Sequence, residues 1–297
     1  MTEIVKNCVK TLSVSGLILG SLVLATLGFF IFHTITYAEL LGRPKVSEEC
    51  NPIFDAALRN PKVRASYVYI DLVQGTRCEL RADESVASAS LYKLLLMVEL
   101  HKRVEMGHNS FMDEIVVMPW HGEFTPKKHR YAVPTIVTLG EAIRSSISWS
   151  SNPEAEALHE YLGIESVNQM ARDLGLQGTV AGPRYFQTTA RDQALIFEKI
   201  YKSELISSNA SSSMLQLLLT QRIEDYMRLG LPPETEVAHK TGLILEYAND
   251  VGVVYGEHGP FILVILTRRE DNSWSSFSMA QEVMTDLARA AYSMHGR

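Results

Sequence analysis

Residues 236–267 read EVAHKTGLILEYANDVGVVYGEHGPFILVILT, and this stretch decides the fold. Apolar and β-branched residues fill Glu236–Lys240, Asp250–Gly256 and Phe261–Thr267, which predicts three strands with glycine-bearing turns between them. Upstream the pattern changes. Leu139–Ile147, Ser151–Leu162, Ile164–Leu174, Thr189–Lys202 and Ser212–Arg222 carry apolar residues at helical spacing, and Leu91–Met106 is apolar enough to be a buried helix. Ser207–Ser213 reads as a loop between two of these helices. Strands return near the other end: Ser66–Leu72 and Thr76–Leu80, joined by the turn Val73-Gln74-Gly75. A helix over Pro52–Arg59 precedes them, stopped by Asn60-Pro61, and Phe277–His295 closes the chain as an amphipathic helix. Strands at both ends of a helical centre predict an α/β fold, a mixed sheet flanked by helices with an inserted all-helical lobe. A cleft between two such lobes is a common place for a site.

Composition narrows the function. The 297 residues are 46% apolar and 21% charged, enough for a substantial core, and the net charge of −6 is mild and spread along the chain. Without a basic stripe, nucleic acid is not an expected partner. Thr11–Ala38 holds no Asp, Glu, Lys or Arg. As a helix, Thr11–Phe32 would run about 33 Å at ~1.5 Å per residue, the depth of a bilayer core. The expected organisation is a cytoplasmic tail (1–10), a transmembrane signal anchor (11–33), a tether (34–50) and an extracytoplasmic domain (51–297). Thr36-Tyr37-Ala38 is a passable cleavage site, so a secreted form is the alternative. Cys50 and Cys78 both fall in the exported part, where a disulfide can persist, but spacing alone does not decide whether they pair.

Three short patterns carry chemistry. Ser90-Leu91-Tyr92-Lys93 opens the most apolar helix. Residues three apart share a helix face, so a lysine amine stands near a serine hydroxyl, and desolvation favours the neutral amine that can act as a base. Ser150-Ser151-Asn152 precedes Pro153 and a helix; a second hydroxyl can pass a proton and an Asn amide can hold a substrate amide, although Ser and Asn are also ordinary helix caps. Lys240-Thr241-Gly242 ends a strand and offers a cation and a hydroxyl for a carboxylate, with glycine allowing close approach. The nine histidines show neither H-x-x-x-H nor Cys-His spacing, and no phosphate-binding glycine loop occurs, so no metal or cofactor is expected. Trp120-His121-Gly122 and Tyr131 could line the cleft mouth or simply pack.

Together, and in this order, the three patterns resemble the S-x-x-K, S-D-N and K-T-G signature of class A β-lactamases and penicillin-binding proteins. The likeness extends to Ala89–Lys93, Thr138-Leu139-Gly140-Glu141-Ala142, Thr188-Thr189-Ala190-Arg191-Asp192 and Val237–Gly242 followed by Asn249–Tyr255. The resemblance implies that Ser90 is the nucleophile, Lys93 its base and Ser150 a proton shuttle to the departing nitrogen. It implies that Asn152 holds the substrate amide, that Lys240 and Thr241 bind a carboxylate, and that the backbone N–H groups of Ser90 and Leu243 form the oxyanion hole. The partner it implies is a small-molecule β-lactam or a peptidoglycan peptide.

Two features depart from that family. Ser151 stands where class A enzymes usually carry Asp. The segment 176–187, LQGTVAGPRYFQ, holds no Asp or Glu and is short for the Ω loop whose glutamate positions the deacylating water. Asp173 and Asp192 flank it on predicted helices. The expectation is a serine hydrolase that acylates readily and deacylates slowly; the alternatives are a D-Ala-D-Ala carboxypeptidase or penicillin-binding protein, and a tethered binding module with little turnover.

Overall fold

The computed structural model describes residues 48–122, 130–182 and 186–295; the expected anchor and nearly all of the tether lie outside the described residues. Among the described residues no helix is long and apolar enough to cross a membrane.

The main sheet has five strands. β1 (Val63–Asp71), β2 (Arg77–Leu80), β8 (Glu236–Ile244), β9 (Tyr247–Gly256) and β10 (Gly259–Arg269) pair in the order β2-β1-β10-β9-β8. Every pairing is antiparallel, so the mixed sheet expected from the sequence is corrected. The reason is connection length. Ile244 pairs with Tyr247 and Gly256 with Gly259, leaving two-residue hairpin loops, whereas a parallel pair needs a long crossover. β1 and β10 read as nearly continuous buried runs because both faces are covered. Val68, Ile70, Ile262, Val264 and Leu266 join the core shared with the helical lobe. Tyr69 and Phe261 meet Tyr292 and His295 at the end of the chain.

The helical lobe is built on α2 (Lys93–Glu105), in which Lys93 through His101 are all buried. A helix apolar on every side is a core helix, and Leu94–Val98 makes it one. It is preceded by α1 (Asn51–Leu58) and surrounded by α3 (Leu139–Ser148), α4 (Asn152–Leu162), α5 (Ile164–Asp173) and, after α6 (Ala190–Tyr201), which packs on β1, β9 and β10, by α7 (Ser208–Leu218), with α8 (Trp274–Met294) closing the chain. α3 starts with a full capping box between Thr138 and Glu141. α7 corrects another expectation. Ser207 caps it by accepting from Ala210 N–H, so the serine-rich stretch is its first turns and not a loop. Ser caps a helix well, and burial of Ala210, Met214 and Leu218 outweighs its weak interior propensity.

Short strands escaped the sequence reading. β4 (Glu114–Val117) and β5 (Thr135–Thr138) form a hairpin, and β3 (Val86–Ala87), β6 (Val180–Ala181) and β7 (Phe186–Thr188) a small sheet. Two to four residues carry too little periodicity to register. Cys50 and Cys78 are disulfide-bonded, with Cα atoms 5.6 Å apart, which ties the start of α1 to β2.

Candidate active site

Ser90, Lys93, Ser150, Asn152, Lys240 and Thr241 come from three separate parts of the chain. Ser90 lies on a 3-10 turn, Ala89–Tyr92, that leads directly into α2, so Lys93 is the helix's first residue. Ser150 occupies the loop between α3 and α4, and Asn152 is the first residue of α4. Lys240, Thr241 and Leu243 sit on β8, the edge of the main sheet. Two non-glycine residues hold left-handed backbone here: Ala89 at φ 48° and Ser150 at φ 55°. Such conformations persist where surrounding contacts over-determine them, and they cluster at functional sites.

Those contacts are specific. Asn249, wholly buried on β9, donates Nδ2 to Ala87 O at 3.1 Å and accepts Thr267 N–H at 3.3 Å. It pins the segment before Ser90 to the sheet. A Cβ on Gly242 would stand 3.0 Å from Ser88 O and 3.2 Å from Ser90 N. Glycine is therefore what allows β8 to lie against the Ser90 turn.

Lys93 Nζ donates to Ser150 O at 2.7 Å and to Asn152 Oδ1 at 2.8 Å, with Ser150 Oγ at 3.5 Å. Lys240 Nζ donates to Ser150 Oγ at 2.9 Å and to Thr241 O at 2.9 Å. The Ser150 hydroxyl thus lies between two lysine amines. Both lysines are completely buried. Burial, helped by the neighbouring charge of Lys240, holds the Lys93 amine well below the ordinary lysine range, and Glu156 and Glu154 act in the opposite sense. Burial likewise brings Lys240 down to about 7, opposed by Asp250. A neutral amine has two N–H donors and a lone pair. On Lys93 the two short contacts occupy the donors, leaving the lone pair to take a proton.

The sheet side has its own support. His239 Nδ1 and Asp250 Oδ1 are 2.8 Å apart, both buried, and Met227 N–H donates to Asp250 Oδ2 at 3.1 Å. His239 is thus a strand residue beside the lysine, as its position suggested. On the lobe side, glutamates not singled out in the sequence meet residues that were. Glu154 is buried and takes hydrogen bonds from Ser151 Oγ and, at 3.0 Å, from the Tyr131 hydroxyl. Glu156 takes Gly122 N–H at 2.6 Å. His121 Nε2 pairs with Glu160 at 3.0 Å, while Trp120 is largely exposed. Gly122, His121 and Tyr131 therefore pack on α4. The signal that could have found Glu156 is its position four residues after Asn152, on one helix face.

In the segment 176–187 the described residues hold a tight structure. Asp192, buried at the start of α6, accepts Gln177 N–H at 3.0 Å, Gly178 N–H at 2.8 Å and Thr179 Oγ1 at 2.7 Å. Its carboxylate is committed to the loop. Asp173 is exposed and receives Lys102 Nζ at 3.2 Å. Neither flanking acid is directed at Ser90 by these contacts. Phe186 stacks on Tyr92, with ring centroids 4.2 Å apart, and both rings meet His159.

Such a site can do acyl transfer: a hydroxyl on a helix-opening turn, a buried amine, a second hydroxyl joining that amine to a second lysine, and a strand edge. Comparison with known proteins agrees. The model of the beta-lactamase enzyme family matches residues 45–294. No match is found among curated proteins. Among solved structures, PBP-A is similar at a TM-score of 0.76 and 21% identity, over 83% of this chain and 95% of that one. A beta-lactamase from Chitinophaga pinensis DSM 2588 follows at 0.74 and 18%, over 83% and 99%. The TLA-1 extended spectrum beta-lactamase gives 0.74 and 16%, over 84% and 98%. With the family model spanning most of its length, the chain belongs to the beta-lactamase enzyme family and is a serine hydrolase of the class A type.

Proposed function

We propose that this protein opens β-lactam or D-alanyl amide bonds through a Ser90 acyl-enzyme, and that it releases the acyl group slowly. The observation that carries the reading is Ser150 Oγ between Lys93 Nζ and Lys240 Nζ, with Lys93 the residue that follows the Ser90 turn. Ser90 Oγ attacks the carbonyl carbon, and its proton passes to the neutral Lys93 amine. The oxyanion is held by Ser90 N–H and Leu243 N–H. The C–N bond then breaks, and the departing nitrogen takes a proton relayed from Lys93 through Ser150. Asn152 holds the substrate amide; Lys240 and Thr241 hold the carboxylate. Water finally hydrolyses the ester and regenerates Ser90.

Slow release follows from the segment 176–187, which supplies no carboxylate. General-base assistance is commonly worth ~10²–10⁴-fold in rate. A penicillin-binding or carboxypeptidase role is the second reading, favoured by the same missing acid; a variant of the similar PBP-A has been solved as an acyl-enzyme complex with penicillin G. In either reading the domain sits outside the cytoplasmic membrane on its N-terminal anchor. The test is intact-mass spectrometry after mixing with benzylpenicillin. A penicilloyl adduct on Ser90 that lasts for hours supports the reading. Rapid turnover would remove the slow step, and no adduct at all would remove the acyl-enzyme.

A further inference from the structure

The lysine at the centre of the site is flanked by a carboxylate that the three motifs do not include. Asn152 opens α4, and its Oδ1 accepts Lys93 Nζ at 2.8 Å. Glu156 lies four residues on, which places it one turn along the same face. His159 lies three further on, with its ring against Tyr92. This stripe of α4 faces the residues that open α2. Glu156 is half-buried, and the Gly122 amide fixes its carboxylate through a 2.6 Å hydrogen bond. Gly122 is itself seated on α4, because a Cβ there would collide with Pro153 Cγ at 2.7 Å. The backbone of residue 122 thus holds the carboxylate at a set place on the stripe.

We propose that Glu156 is a positioning residue of this site, the counter-charge against which Lys93 gains and loses its proton. The inference rests on the acyl-enzyme reading for its consequence, though not for its geometry. Charged and titratable groups face Lys93 from each neighbouring element. Lys240 stands on β8, with Asp250 and His239 behind it. Tyr92 is adjacent on the turn, its ring centroid 5.9 Å from the amine. Glu154 and Glu156 stand on α4. Lys240 pushes the amine toward its neutral form, and the two glutamates pull it back. Glu154 has already accepted two hydroxyl donors, from Ser151 and Tyr131. Glu156 has accepted one backbone amide, and a carboxylate has about four acceptor positions. Its charge also reaches the Tyr92 hydroxyl, which burial and Glu156 together push up. Tyr92, the last residue of the Ser90 turn, and Lys93, the first of α2, therefore feel the same carboxylate. The acid is supplied by α4, while segment 176–187 supplies none.

The consequence has a sign. Acylation needs the neutral amine, so its rate rises with pH through the Lys93 titration. Removing a nearby negative charge makes the ammonium form less favourable, so the acidic limb moves to lower pH. Glu156→Gln keeps an acceptor for Gly122 N–H and removes only the charge. The experiment is a lysine Nζ/Cε NMR titration of the full chain, with the Lys93 signal assigned by its loss in Lys93→Met. The expected result is a Lys93 midpoint lower in Glu156→Gln by roughly half to one pH unit. An unchanged midpoint in a folded variant overturns the proposal. A measurement on the unaltered protein covers a variant that does not fold: coupling is reciprocal, so the Glu156 carboxyl signal must show an inflection at the Lys93 midpoint. A flat carboxyl trace there overturns the proposal too. If the shift is found but benzylpenicillin leaves no adduct, the functional reading fails while the role of Glu156 stands.

Discussion

Lys93 and Lys240 are both fully buried, and one hydroxyl joins them, yet the two walls of the site, lobe and sheet, treat them differently. On the lobe wall, Lys93 is fixed by a backbone carbonyl and an amide oxygen; the charge of Lys240 reinforces its burial, and Glu156 and Glu154 oppose it. On the sheet wall, Lys240 also donates to neutral acceptors, and the charge of Asp250 opposes its burial, which brings the amine down to about 7. The difference teaches that burial sets the direction of both shifts, while neighbouring charges reinforce it at Lys93 and oppose it at Lys240. In the proposed mechanism the first amine takes a proton from Ser90, and the second becomes a cation when a substrate carboxylate arrives.

The largest effects should come from breaking the lobe wall. Ser90→Ala should abolish the penicilloyl adduct in intact-mass spectra, and Lys93→Met should slow adduct formation by roughly 10²–10⁴-fold, the usual worth of a general base. If Lys93→Met acylates at the normal rate, the division of labour is wrong.

Breaking the sheet wall should weaken capture rather than chemistry. Lys240→Ala should reduce the second-order acylation rate by about 10–100-fold, from loss of a charge-assisted hydrogen bond to the carboxylate. Substrates lacking a carboxylate should lose less. Capture should also weaken as pH rises well above 7, because a neutral Lys240 no longer attracts an anion; a profile indifferent to pH would give Lys240 a different role.

A subtler test uses stability. Each buried lysine binds its proton less readily in the folded protein than at its ordinary value of 10.5. Between the folded value and 10.5 the unfolded chain holds more protons, so stability rises with pH across that window. For Lys240 the rise begins near pH 7. Lys240→Met should flatten it in urea denaturation series. An unaltered slope would mean that Lys240 stays charged when folded.

The smallest effect expected is at the seam between the walls. Asn249→Ala removes a buried amide bonded to Ala87 O and Thr267 N–H and should cost about 1–3 kcal/mol in chemical denaturation. Acylation should fall with it if the Ser90 turn loosens; lost stability with an unchanged rate would make Asn249 structural only.

The helices and the three long C-terminal strands were legible because they are long and periodic. Ser90, Lys93, Ser150, Asn152, Lys240 and Thr241 were legible as short patterns in a fixed order. The antiparallel pairing of β1 with β10 was not, because the two strands lie far apart in the chain and local pattern carries no strand direction. Nor was the start of α7, where a serine-rich composition suits loop and helix start equally.

The sequence by itself therefore determined which residue types were present and in what order, and that segment 176–187 holds no acid. Only the tertiary structure decided that Ser150 would stand between two lysines, that Asn249 would pin the Ser90 turn, and that Glu154 and Glu156 would supply the nearby carboxylates. The physical reason is that proton affinity depends on desolvation and on charges a few ångströms away. Those neighbours are contributed by α2, α4 and β8, which lie far apart in the chain and meet only when it folds.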